Sequence, residues 1–110
     1  MEPPKQVRLG ALARPVNPFT IDLQGKRATL NGQVLSLTRR EFGLLSELLR
    51  HPGWVRARDD LLTAVWGIDS DSTDRTVDTH IKTLRTKLLL TNPGRDHIVT
   101  HRGQGYSVDF

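Results

Sequence analysis

The stretch Asp74-Arg-Thr-Val-Asp-Thr-His-Ile-Lys-Thr-Leu-Arg-Thr-Lys-Leu-Leu-Leu90 decides the fold. Val77, Ile81, Leu84 and Leu88 follow one another at spacings of four, three and four, which places them on one stripe of an α-helix. Thr73 or Asp74 is placed to cap its start, and Asn92-Pro93-Gly94 ends it because proline cannot continue the backbone ladder. At about 100° per residue the opposite face carries Arg75, Thr79, Lys82, Thr83 and Thr86. That face has cations and short hydroxyl side chains and no acid, since Asp78 falls to one side. A solvated helix back normally mixes Glu with Lys, so the pattern points to a polyanion. Threonine is short enough to let a helix approach closely, its hydroxyl bonds phosphate or base, and its methyl fits a thymine methyl. Arg75 and Lys82 supply attraction to phosphate.

Working outward, Gly67-Ile68-Asp69-Ser70-Asp71-Ser72-Thr73 is a polar loop, longer than the tight turn of a minimal helix-turn-helix. Before it, Arg58–Trp66 reads as a helix with Asp59 and Asp60 at its positive end, Leu61, Leu62, Val65 and Trp66 facing inward and Gly67 at C′. An earlier helix opens on the capping box Thr38-Arg-Arg-Glu41, carries Phe42, Leu45, Leu48 and Leu49 at helical spacing, and stops at His51-Pro52-Gly53. Three strand-like runs come first: Phe19–Leu23, Arg27–Leu30 and Gln33–Leu37, the last two joined by the hairpin signal Asn31-Gly32. After the long helix, Ile98–Phe110 reads as a hairpin bent at Arg102-Gly103-Gln104-Gly105. Arg102 projects where a cation could enter a narrow minor groove. Thr100 is placed either to donate to phosphate or to serve across the strands, and Tyr106 to pack or to make a contact.

The chain has 110 residues, room for one modest core. Residues 1–16 are proline-rich and basic and read as a linker, leaving 17–110 as the domain. There is no cysteine, hence neither a disulfide framework nor a thiolate metal site. No apolar run is long enough to span a membrane, and the first residues lack a signal-peptide core, so a cytoplasmic location is expected. The net charge of +4 is unevenly spread: +3 over residues 1–37, −2 over 38–74 and +3 over 75–110. The four histidines lack metal-ligand spacing, and Asp69–Asp74 lacks the glycine and terminal glutamate of a calcium loop. With no nucleophile motif and no phosphate-binding glycine loop, the expectation is no enzyme, no cofactor and no metal. A protein-interaction module on the same scaffold is the competing reading, but it would tend to shed the cations that remain here at Arg75, Lys82, Arg85, Lys87 and Arg102.

Leu37-Thr38-Arg-Arg-Glu41-Phe42-Gly-Leu44-Leu45, His51-Pro52-Gly53, Leu61-Leu62, Val65-Trp66-Gly67, Asp74–Arg85 and Arg102-Gly103-Gln104-Gly105-Tyr106 together resemble the effector domain of OmpR/PhoB-type response regulators. Asp74–Arg85, with Asn92-Pro93 and Thr100-His101-Arg102-Gly103, is similar to the CreB-type branch. The resemblance implies an α+β winged helix-turn-helix: a four-stranded N-terminal antiparallel sheet, three helices and a C-terminal hairpin wing. It implies double-stranded DNA as partner, bound as a dimer on direct-repeat half-sites by a domain that is monomeric in isolation. By position, the contacts it implies are Arg75, Thr76, Thr79, His80, Thr83 and Arg85 in the helix, beside Lys82, and Thr100, Arg102 and Tyr106 in the wing. Trp66 matches a position near the DNA backbone that serves equally as core. Gly67–Thr73 corresponds to a loop that faces RNA polymerase. A sensor histidine kinase acting through a receiver domain, which this chain does not contain, is also implied. Three positions depart from the family pattern: Ala57 replaces a capping serine, His101 a valine, and Thr83 an arginine found in some members.

Overall fold

The computed structural model describes residues 16–110, so the reading of 1–16 as a linker lies almost wholly outside the described residues. The elements are β1 (Phe19–Asp22), β2 (Arg27–Leu30), β3 (Gln33–Val34), α1 (Arg39–Arg50), α2 (Arg58–Trp66), α3 (Asp74–Thr91), β4 (Ile98–His101) and β5 (Gly105–Val108). This is the expected α+β order with one difference. Among the described residues the N-terminal sheet has three strands, β1-β2-β3, all antiparallel, where the family resemblance implies four. Its third strand is short: past Val34 the Leu35 amide still donates to the Ala28 carbonyl at 2.9 Å, but Leu37-Thr38 already leads into the cap of α1.

Local chemistry sets the boundaries. Asn31 and Gly32 both take left-handed backbone angles, φ 52° and 81°, as a tight hairpin turn requires. The capping box of α1 is complete: Thr38 Oγ1 accepts from the Glu41 amide at 3.2 Å, and the Thr38 amide donates to Glu41 Oε1 at 2.9 Å. Ala57 leaves α2 without a side-chain cap, and Thr73 at the start of α3 makes no capping bond either.

The three helices pack on one another around Leu44, Leu45, Leu48, Leu61, Val77, Ile81, Leu84 and Leu88, all fully buried. Of the inward positions expected on α2, Leu61 is buried and Leu62, Val65 and Trp66 are half-buried at the core's edge. Ile98 and Val108 close the core from the hairpin. His97, also buried, joins the two sheets: its ring stands edge-on to Phe19 at 5.1 Å, and Nδ1 donates to the Asp109 carbonyl at 2.8 Å.

The wing sits on a third extended segment. Arg56 and Tyr106 exchange backbone hydrogen bonds of 2.7 and 3.0 Å, which ties the α1–α2 connection to β5. Gly105 makes this approach possible: at φ 143°, a Cβ there would lie 1.9 Å from the Arg56 carbonyl oxygen. No helix among the described residues is long and apolar enough to cross a membrane.

Candidate nucleic-acid interface

The outer face of α3 stands clear of the core, with Arg75, Thr79, Lys82, Thr83 and Thr86 all exposed and Thr76 and His80 half-buried beside them. Arg75 and Lys82 have no acidic partner among the described residues. The other cations of this helix are spent internally. Lys87 Nζ lies 2.7 Å from Glu41 Oε1, a carboxylate only 3% exposed. Arg85 donates to the Ile98 carbonyl at 2.9 Å and to Thr100 Oγ1 at 2.8 Å, and stands 3.4 Å from Asp96. Arg85 and Thr100, both expected at the DNA, are thus brought together as a clasp between α3 and β4.

Tyr106 is removed from the exposed set. It is buried, and its hydroxyl donates to Asp78 Oδ1 at 2.7 Å. Burial pushes its pKa up to about 12, assisted by that bond and the Asp78 charge. The other Asp78 oxygen accepts from Arg58 at 2.7 Å, and Arg58 also reaches Asp74 at 3.2 Å. One acidic residue at the side of α3 therefore fixes the relation of α2, α3 and the wing.

Arg102 lies exposed at the hairpin bend, where Gly103 takes φ 73° and the Gln104 amide donates to the His101 carbonyl at 2.8 Å. His101 turns back to Ser107, 2.8 Å away. The loop Gly67–Thr73 is held by short local bonds, Ser70 amide to Gly67 carbonyl and Ser72 amide to Ser70 Oγ. Its Ile68 is 84% exposed, between Asp69 and Gly67.

Two features of the site do not follow from helix periodicity. Arg40 donates to the Val65 carbonyl at 2.7 Å and lies over the Trp66 ring at 5.1 Å; that ring meets His80 edge-on at 5.0 Å. Trp66 thereby backs His80 at the edge of the outer face of α3. His80 Nδ1 lies 2.8 Å from the Thr76 carbonyl, which can only accept, so Nδ1 carries the proton and Nε2 is left to solvent or ligand. The second feature is Glu41. Thr38, Thr83 and Lys87 all converge on its carboxylate. Burial alone would raise its pKa, but hydrogen bonds from Lys87, Thr83 and the Thr38 amide outweigh burial and hold it below the ordinary value.

A three-helix unit followed by a hairpin, with a cationic and acid-free outer face on its third helix, is a winged helix-turn-helix DNA-binding domain. Residues 32–108 match the family described as "Transcriptional regulatory protein, C terminal". The chain belongs to that family, the DNA-binding effector domains of OmpR/PhoB-type transcription regulators, and is not an enzyme. It is 57% identical to the transcriptional regulatory protein CreB of Escherichia coli (strain K12) over 74 residues, 67% of this chain and 32% of that protein. It is 36% identical to the sensory transduction protein RegX3 of Mycobacterium leprae over 92 residues, 84% of this chain and 46% of that one. The chain therefore spans from about a third to just under half of the length of these relatives. Among solved structures, the response regulator AdeR DNA-binding domain in complex with an intercistronic region superposes with a TM-score of 0.75 at 28% identity, covering 87% of this chain and 98% of that one. The Klebsiella pneumoniae RstA DNA-binding domain in complex with the RstA box gives 0.70 at 36% identity, covering 84% and 91%.

Proposed function

We propose that α3 lies in the major groove of duplex DNA with Arg75, Thr76, Thr79, His80, Lys82 and Thr83 toward it, while Arg102 enters the neighbouring minor groove. One observation carries this reading: the fold sorts its cations. Lys87 and Arg85 are consumed by internal partners, whereas Arg75, Lys82 and Arg102 are left exposed. Isolated, the domain is a monomer; on DNA two copies occupy direct-repeat half-sites, as the family resemblance implies. The loop Gly67–Thr73, with Ile68 exposed and acids at 69 and 71, serves RNA polymerase. The greater length of the relatives supports a receiver domain, controlled by a sensor kinase, in the whole protein, and chromosomal DNA as target goes with a cytoplasmic location.

Titration against duplex DNA at several salt concentrations tests the central claim. Three cations that each neutralise a phosphate give a slope of log affinity against log salt of about −2.7, steeper if exposed cations outside α3 and the wing join them. A domain that fails to bind duplex at low salt, or binds with no salt dependence, refutes it and leaves the protein-interaction reading.

A further inference from the structure

The threonines of the reading face are not equivalent. Thr79 donates to the Arg75 carbonyl at 3.1 Å and Thr86 to the Lys82 carbonyl at 3.1 Å. These carbonyls already serve the helix ladder, so either hydroxyl can rotate toward a ligand at little cost. Thr83 differs. Its hydroxyl touches both Glu41 Oε2 and the His80 carbonyl, and it has one proton to give. The shorter, charge-assisted bond to the carboxylate takes it. Rotating that hydroxyl outward would strip a donor from a carboxylate that is 3% exposed, which a buried charge resists. Thr83 is nonetheless exposed as a residue. With its oxygen held by Glu41, the side-chain group left without a partner to hold it is the methyl.

Resting on the major-groove reading above, we infer that Thr83 is a specificity residue that reads thymine through its methyl group, and that Glu41 is the positioning residue that fixes this orientation. Glu41 touches no DNA. It acts from α1, 42 residues away in sequence, by holding the Thr83 hydroxyl out of the groove. The contact made is methyl to the thymine 5-methyl, so this position selects A·T over G·C without a base hydrogen bond.

The test begins by selecting preferred duplexes from a random pool with the 110-residue chain. Each thymine of the selected site is then replaced, one at a time, by deoxyuridine, which removes only the 5-methyl. At one thymine per half-site the wild type should bind about fourfold more weakly, the size expected for exposing one methyl. Thr83→Ser keeps the hydroxyl and its bond to Glu41 but lacks the methyl, so it should bind the thymine and deoxyuridine duplexes equally at that position. Thr83→Val keeps the methyl and should retain the fourfold preference; its thermal melt confirms the fold. The inference is overturned if Thr83→Ser keeps every deoxyuridine penalty of the wild type, or if no thymine in the site shows one that depends on Thr83. Failure of the groove reading looks different: the wild type then selects no duplex at all.

Discussion

Glu41→Gln is the substitution that best isolates the coupling between α1 and α3. Glutamine preserves the capping box, because its oxygen can still accept the Thr38 amide. It removes the charge that faces Lys87 at 2.7 Å and, with Oε1 kept as the oxygen, the Oε2 acceptor that serves Thr83. A hydrogen bond to a charged group contributes roughly 1.5–3 kcal/mol. The lower part of that range applies, since Lys87 is 35% exposed and its ammonium regains water when the carboxylate is gone. The expected loss is about 2 kcal/mol at neutral pH, or a Tm lower by roughly 8–16 °C for a domain of this size. The pH dependence has a definite sign. The folded state holds the Glu41 pKa below its ordinary 4.5, so its contribution is complete above that value and disappears as pH falls through the lowered one. Urea unfolding followed by circular dichroism, at pH 7 and in steps down to pH 3, should show a gap between wild type and variant that narrows in acid. A variant within about 0.5 kcal/mol of wild type at pH 7, or a gap that stays constant to pH 3, refutes the assignment; surface substitutions ordinarily fall inside that margin.

Three further outcomes are expected. Arg102→Ala should weaken duplex binding by about 1–3 kcal/mol and lower the salt slope by about one, with the Tm unchanged because the side chain is exposed; titration and a thermal melt check both. Gly105→Ala should cost at least about 3 kcal/mol in a denaturant titration, because its Cβ would meet the Arg56 carbonyl oxygen and not a yielding side chain. Tyr106→Phe should cost about 1 kcal/mol at neutral pH, as Asp78 keeps Arg58 when the tyrosine hydroxyl is lost. The wild type should also lose stability as pH rises from 10 through about 12, the raised pKa of Tyr106, and the phenylalanine variant should lack that component; unfolding curves at pH 7 and pH 11 separate the two.

What was legible in the sequence was local. The capping box spans four residues, the Asn31-Gly32 turn two, and the apolar stripe of α3 repeats within each pair of turns, so neighbours along the chain specify each of them. The length of β3 was not: pairing with β2 stops after the Leu35 amide bonds the Ala28 carbonyl, and the chain then departs for the cap of α1 at Thr38. Nor were the partners of the charged residues. Glu41 meets Lys87 across 46 residues and Tyr106 meets Asp78 across 28, and no pattern in the chain fixes which charge will face which.

The cations of α3 were nonetheless separable, by angle where not by partner. Measured from the centre of the apolar stripe at about 100° per residue, Arg85 lies roughly 65° and Lys87 roughly 95° away, against about 125° for Lys82 and 145° for Arg75. The first two flank the core, where packed elements can supply a carboxylate or a carbonyl, and they find Glu41 and the Ile98 carbonyl there. The last two point away from every packed element and stay exposed. Angle alone does not identify Thr83, about 135° from the same centre and yet tied to Glu41. Its tie exists because α1 begins beside the middle of α3, with Thr38, Arg40 and Glu41 lining one cleft with Thr79, His80 and Thr83. The same capping glutamate that starts α1 thereby fixes one side chain on the outer face of α3, so helix initiation and the orientation of Thr83 share a carboxylate.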